Sequence, residues 1–278
     1  MRINNITVKG LFGLFDHSIP LNSDDRITII YGPNGFGKTY TLNLVNELFT
    51  SGYRSFYEIP FTEIAVGFSD LSTLRARKTA GKGRETVTIE LTKPRLKTKS
   101  FTLSESSKKK EPLWLITLKR AVTVQFVSTE RLLRFSKELH SESITMAKST
   151  SKKVHEKIAL LLKIINSRFT HKKMELSTKD GFVFIASDGR QLKPQQLSSG
   201  EQHVLVLLYQ LLFTVKSDSL ILIDEPELSL HVFWQQQFIR DMQDIIRLSG
   251  FDILIATHSP QIIHDRWDLA VELKDPRA

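Results

Sequence analysis

Apolar residues fall into two rhythms along this chain. Residues 3–8 and 17–21 alternate as short strands around the turn Gly10–Gly13. Residues 26–31, RITIIY, form a β-branched apolar run that ends at GPNGFGKT, and a helical spacing follows through Leu42, Val45 and Leu48. That order is strand, glycine-rich loop, helix. Residues 64–103 return to strand-like runs (AVGF, TVTIEL, KSFTL) and predict an antiparallel sheet or projecting hairpin. VTVQFVS, 122–128, reads as a buried strand, and 131–169 as helical, with Val154, Ile158, Leu161, Leu162 and Ile165 on one stripe. A hairpin follows, with FVFIA and the turn Ser187-Asp188-Gly189. Then come a long apolar helix over about 201–215, the strand LILID, a helix over 232–248 and the strand FDILIAT. Strands alternating with helices in the last third imply a parallel sheet. No internal repeat and no obvious linker interrupts the order.

The expected fold class is therefore α/β: a mixed or parallel core sheet, an antiparallel β lobe and a short helical insert. We expect a single domain over 1–278. Its parts are a nucleotide-binding start at 1–60, a β lobe with basic hairpin at 61–128, a helical insert at 129–172 and a last part at 173–278. Composition agrees, with 278 residues, 41% hydrophobic and 25% charged, an ordinary globular balance that supports a sizeable core. No cysteine is present, which excludes disulfides, Cys-ligated zinc and thiol chemistry within the chain. MRINNITVKG lacks the apolar core of a signal peptide. The longest apolar-rich run, Val204 to Val215, is too short to span a bilayer. These features predict a soluble cytoplasmic protein with no membrane partner.

Charge adds one feature. The net charge of +9 is concentrated in residues 75–110, where Arg75, Arg77, Lys78, Lys82, Arg84, Lys93, Arg95, Lys97, Lys99, Lys108, Lys109 and Lys110 face only Glu85, Glu90 and Glu105. Such a block is either a solvated hairpin or a contact for nucleic-acid phosphates. Phe101 is its only aromatic residue, so base stacking is not indicated and contact would be sequence-independent.

Four segments carry chemistry. Gly32-Pro33-Asn34-Gly35-Phe36-Gly37-Lys38-Thr39 matches GxxxxGK[ST]. Its glycines let backbone N–H groups turn toward phosphate oxygens, Lys38 reaches the β- and γ-phosphates, and the Thr39 hydroxyl ligates Mg²⁺. The helix starting there directs its positive end at the anion, with Tyr40 in its first turn. Asp224 and Glu225 end the strand LILID: Asp224 suits Mg²⁺, and Glu225 suits orienting and deprotonating a water. Leu197-Ser198-Ser199-Gly200-Glu201-Gln202 opens the helix leading to that strand; alone it is an ordinary N-cap. His258, in ATHSP, follows a third apolar strand and could contact the γ-phosphate and the water, although a lone histidine at a strand end is more often structural.

Taken in order, the phosphate loop, LSSGEQ, LILIDEPELSLH and ATHSP resemble the ATP-binding-cassette ATPases. Within them the chain looks like the branch holding the structural-maintenance-of-chromosomes (SMC) proteins, RecF and the OLD-like ATPases of bacterial defence. GPNG opens its phosphate loop, SSGEQ runs into VLVLLYQLLF, PELSLH follows the paired acids, and VQFVSTER is similar to defence-associated members. The resemblance covers the two ends of the chain and only loosely residues 60–190. It implies ATP and Mg²⁺ as cofactors, with Asn34, Gly35, Gly37, Lys38, Thr39 and Tyr40 on the nucleotide. It implies Thr39 and Asp224 on the metal, and Glu225, His258 and Lys38 in catalysis. Ser198, Ser199 and Gly200 would contact the γ-phosphate held by another subunit, so a homodimer sandwiching two ATPs is expected. The D-loop would be Ser229 to His231, and Gln125 is the candidate Q-loop glutamine, against the equal alternative of a strand-edge residue. Phe36, at a position usually small in this class, and His231, where many members carry aspartate, depart from the pattern.

The expected activity is ATP hydrolysis by a dimerising switch that controls a nucleic-acid-linked process in anti-phage defence. Only 20 residues follow His258 and there is no cysteine, so the expectation is a separate effector protein rather than an appended nuclease, with DNA or RNA contacted through residues 75–110. The alternatives are a nucleotide-binding subunit of a transporter, or a structural subunit that binds ATP with little hydrolysis.

Overall fold

The computed structural model describes residues 1–50, 52–81, 84–105, 109–127 and 142–274. They fall into two compact units, each assembled from separate stretches of chain. The first holds Met1–Phe126, Asp218–Glu225 and Phe251–Ala278; the second holds Val127–Ser217 and Pro226–Gly250.

The first unit contains two sheets. Strands β1 (Ile3–Leu11), β2 (Phe15–Pro20), β4 (Glu63–Phe68), β5 (Thr73–Gly81), β6 (Arg84–Thr92) and β7 (Lys99–Ser104) form an antiparallel sheet of order β2-β1-β4-β5-β6-β7. One face of this sheet is apolar. Ile6 and Val8 pair with Val66 and Ile64, and Leu74 and Ala76 pair with Leu91 and Ile89. All eight side chains are buried, as the alternation in sequence requires.

The other sheet joins β14 (Ala270–Glu272), β3 (Ile27–Tyr31), β13 (Asp252–Thr257), β12 (Leu220–Asp224) and β8 (Val124–Val127), in that order. The pairs β14–β3, β3–β13 and β13–β12 are parallel. Every residue of β13, and all but the last of β3 and β12, is buried, which is why these strands read as unbroken apolar runs rather than alternations. Helix α1 (Lys38–Phe49) places Leu42, Leu44, Val45 and Leu48 in the core of this unit with Leu222, Leu254 and Ala256. Helices α2 (Arg54–Glu58) and α3 (Leu113–Ala121) complete its interior with Phe56, Leu115 and Leu118.

The second unit is mainly helical. Helix α4 is seen over residues 142–147, followed by α5 (Lys152–Arg168), α6 (Ser199–Tyr209), a π-helical turn (Gln210–Thr214) and α7 (Val232–Ser249). A small sheet of β9 (Lys172–Ser177), β10 (Gly181–Ala186) and β11 (Gln191–Leu192) lies beside them in sequence. Helix α7 buries Phe238, Ile239, Met242, Ile245 and Ile246, one stripe at helical spacing. Its end is set by Gly250, whose φ of 72° is the left-handed cap that glycine adopts at little cost.

Two details depart from the sequence expectations. Residues 148–151 are not helical, so the helix expected over 131–169 is interrupted, and α5 begins only after Ser151. Residues 128–141, which include the end of VQFVSTER, lie outside the described residues, as do Lys82 and Lys108 of the basic block. The apolar helix expected to run to 215 changes to π geometry at Gln210, where Lys157 of α5 donates to the Leu212 carbonyl. Among the described residues no helix is long and apolar enough to cross a membrane.

Candidate nucleotide site

The parallel register brings three of the four motifs to one edge of the first unit. Tyr31 lies opposite Thr257, and Ala256 lies opposite Asp224. The phosphate loop, the acid pair and the histidine therefore leave the carboxyl ends of three adjacent parallel strands, the place where open α/β sheets bind ligands.

The phosphate loop has the backbone its sequence demands. Gly35 and Gly37 take φ of +87° and +78°, a region costly for residues with a Cβ. At Gly37 a Cβ would also stand 2.3 Å from Leu11 Cδ2, whereas at Gly35 nothing lies within 4 Å. The loop is thus packed on one side and open on the other. Lys38 is only 5% exposed and donates to the carbonyls of Gly32 (2.7 Å) and Pro33 (3.1 Å). Helix α1 starts with no side-chain cap and no acidic residue in its first turn. Its N-terminal N–H groups and dipole are left for an external anion. Asn34 is exposed and Thr39 half-buried at this end. Tyr40, 45% exposed, meets Phe12 edge to face at 4.9 Å.

Strand β2 supports the loop from behind, which the sequence reading missed. The alternation Phe15, His17, Ile19 puts His17 on the buried face, and that histidine at an otherwise apolar position was the available signal. Its Nε2 meets the Phe36 carbonyl at 2.9 Å. Phe36 lays its ring 5.5 Å from that of Phe15, so the bulky residue in the loop is accommodated by packing onto β2. Burial lowers the His17 pKa below its ordinary value, partly offset by the Phe36 carbonyl and Asp16. The folded protein therefore resists protonation. Stability is held above about pH 6.5 and lost as pH falls from there through the folded value. We expect the melting temperature to fall between pH 7.5 and pH 5.5, and H17Q to flatten that dependence. Identical slopes in the two proteins would remove His17 as the cause.

Glu225 and His258 meet, with Glu225 Oε1 3.5 Å from His258 Nδ1 and the two side chains 30% and 40% exposed. The backbone of Glu225 has φ +44°. Its N–H, donating to the Ala256 carbonyl at 2.8 Å, holds it there. A glutamate in this conformation costs on the order of 1–3 kcal/mol, and such strain clusters at functional sites. On the other strand the Thr257 hydroxyl accepts from the Ser259 N–H at 3.0 Å and fixes the turn that carries His258. Asp224, half-buried, ends β12 one residue before Glu225.

These residues fit the implied groups. An open loop with an uncapped helix start and a buried ammonium suits a triphosphate. Thr39 and Asp224 offer the one or two oxygen ligands that Mg²⁺ takes from protein when phosphates and water supply the rest. Gln125 is half-buried on β8, the strand beside β12 at the sheet edge.

The fourth motif belongs to the second unit. Ser198 caps α6 in a capping box: its hydroxyl accepts from the Glu201 N–H (3.4 Å), and the Glu201 carboxylate accepts from the Ser198 N–H (2.8 Å). Burial raises the Glu201 pKa, but that N–H and Lys172, at 3.0 Å, outweigh it and hold the acid below its ordinary value. Ser198 and Ser199 are exposed and Gly200 half-buried. A Cβ on Gly200 would approach the Ser229 carbonyl to 3.3 Å, so the signature turn and the expected D-loop pack on each other. His231 caps α7, its ring Nδ1 accepting from the Phe233 N–H at 3.4 Å, the task an aspartate there would perform.

A family model described as "AAA domain, putative AbiEii toxin, Type IV TA system" matches residues 146–264. Protein ea59 of Escherichia phage lambda is 34% identical over 86 residues, 31% of this chain and 16% of that protein. Septu protein PtuA of Bacillus thuringiensis is 23% identical over 297 aligned residues, 94% of this chain and 72% of PtuA. The chain thus spans about a sixth of the first relative and most of the second. Among solved structures, the SMC head domain from Thermotoga maritima matches with a TM-score of 0.50 at 18% identity, over 97% of this chain and 92% of that one. An SmcHead bound to the C-winged helix domain of ScpA matches at 0.51 and 14% identity, over 99% and 95%. By motif order and by these likenesses, the chain carries the head fold of the SMC-like, ABC-type ATPases.

Proposed function

We propose that the chain is an ATP-hydrolysing switch that closes as a homodimer around two ATPs and controls a nucleic-acid-linked defence process through a separate effector. The observation that carries the reading is that the phosphate loop leading to Lys38, the pair Asp224–Glu225 and His258 all leave the ends of three adjacent parallel strands. Asn34, Gly35, Gly37, Lys38 and the start of α1 would hold the phosphates. Thr39 and Asp224 would hold Mg²⁺, with Tyr40 and Gln125 at the margins of the site. Bound Mg·ATP supplies the phosphoryl group and a cation that neutralises its developing charge. Glu225 takes the proton of the attacking water, and His258, beside it, orients that water. Lys38 stabilises charge on the phosphate oxygens.

Ser198, Ser199 and Gly200 sit at an exposed helix start suited to a γ-phosphate presented by a second copy. ATP binding would then close the dimer and hydrolysis open it. The defence role rests on the resemblance of the motifs to defence-associated ATPases, on the family model's Type IV TA description and on the PtuA match. A separate effector and a cytoplasmic location are parts of the same proposal.

K38A tests the nucleotide part. We expect ATP with Mg²⁺ to raise the melting temperature of the native chain and to leave K38A unmoved, with phosphate release reduced to background. Equal thermal stabilisation of both proteins would refute this assignment of the site.

A further inference from the structure

Within the basic block of the β lobe, the cations of β5 and those between β6 and β7 differ. On β5 each of the three cations is paired with a carboxylate. Arg75 and Arg77 both pair with Glu63, at 3.3 and 2.7 Å, and Arg75 also lies in register with Glu90. Lys78 pairs with Glu85 at 2.8 Å and reaches toward the Tyr57 and Ile59 carbonyls.

On the turn between β6 and β7 and at the first residue of β7 the charges do not cancel. Residues 92–99 read TKPRLKTK, and Arg95, Lys97 and Lys99 are all exposed and make no ion pair with a described residue. Lys93, half-buried, lies in the field of Asp70. Lys93-Pro94-Arg95-Leu96 is a tight turn closed by the Leu96 N–H on the Lys93 carbonyl at 3.2 Å. Arg95 stands third in that turn with φ +61°. Proline second and a positive φ third is the pattern in which glycine or asparagine is favoured. An arginine held there spends conformational strain to put a guanidinium at the tip, and such strain points to function.

Beside the turn lie the hydroxyls of Thr92 and Thr98, 3.5 Å apart, and farther along the two strands those of Thr88 and Thr102, 3.0 Å apart. Cations flanked by Ser and Thr hydroxyls are the donor set that binds phosphate backbone. Leu96, 66% exposed, is a single apolar side chain, too little to anchor in a bilayer.

We propose that the β6–β7 turn, through Arg95, Lys97 and Lys99, is the contact of this chain with the phosphate backbone of duplex nucleic acid. The assignment rests on the nucleic-acid-linked reading above and narrows the contact from the whole of residues 75–110. The shared chemistry is the phosphate backbone, so DNA and RNA duplexes are both candidates.

The test is fluorescence anisotropy with a labelled 30-base-pair duplex, DNA in one arm and RNA in the other, across a salt series. Native chain, R95Q/K97Q/K99Q and R75Q/R77Q are compared, with ATP hydrolysis confirming that each variant is folded. Neutralising three phosphate contacts should reduce the slope of log affinity against log salt by about 2.7. The sheet variant, which removes arginines already paired with Glu63, should change affinity less than about twofold. Binding that keeps its slope in the turn variant overturns the assignment to the turn and leaves the nucleic-acid reading standing. Absence of binding by the native chain at the lowest salt, or binding only to phosphatidylserine vesicles added as a third arm, overturns both.

Discussion

Glu225→Gln is expected to lower steady-state phosphate release by about 10²–10⁴-fold, the range for a lost general base, while ATP still binds. The amide keeps the length and planarity of the carboxylate, so the side chain can still face His258, 3.5 Å away in the native protein. The φ of +44° also persists, because it is held by the Ala256 carbonyl on the backbone rather than by the side chain. What disappears is the ability to accept the proton of a water. If ATP closes the dimer and hydrolysis opens it, the same variant should accumulate as an ATP-loaded dimer. Light scattering after gel filtration in Mg·ATP would show a doubled mass that the native chain shows only transiently. Turnover within about threefold of native would mean that the base lies elsewhere. Loss of turnover with no change in mass would retain the base and discard closure as the coupled event.

The parallel sheet was legible because its strands are buried on both faces. ITIIY, LILID and FDILIAT carry few polar interruptions, and each ends at a motif, so sequence alone placed the phosphate loop, Glu225 and His258 just after strand ends. The division of the chain was not legible. It passes between the two units after Phe126, Ser217, Glu225 and Gly250; three crossings lie within or beside elements of regular structure and the one at Ser217 lies in a four-residue polar turn, KSDS, no different from an ordinary surface loop. Support of the phosphate loop by His17 was hidden for another reason: the contact depends on β2 pairing with β1, and on a tilted ring contact between Phe15 and Phe36, which are far apart in sequence. The basic block misled in the same way. Counting charges along residues 75–110 could not include Glu63, which pairs with two arginines only because β4 and β5 align Glu63 with Arg77.

A mixing experiment addresses the shared site most directly. Ser199 is the first residue of α6 and is exposed. S199E places a carboxylate in the first helical turn, where the dipole favours it by about 0.3–1 kcal/mol, so the fold should not suffer. In the proposed dimer that carboxylate would face the γ-phosphate bound to the partner, and like charges would oppose closure. S199E alone and K38A alone should each show phosphate release near background. Combined in equal amounts, half of the dimers pair one chain of each kind. Each mixed dimer then has one site carrying both lesions and one site free of both, formed by Lys38 of the S199E chain and Ser199 of the K38A chain. Activity should return to about a quarter of native if the two sites work independently, because a two-fold dimer completes each site from both chains. A site contained within one chain gives a different result, since no mixture of two inactive chains can restore it. Return of activity would therefore separate a site built across subunits from one in which S199E acts only on its own chain.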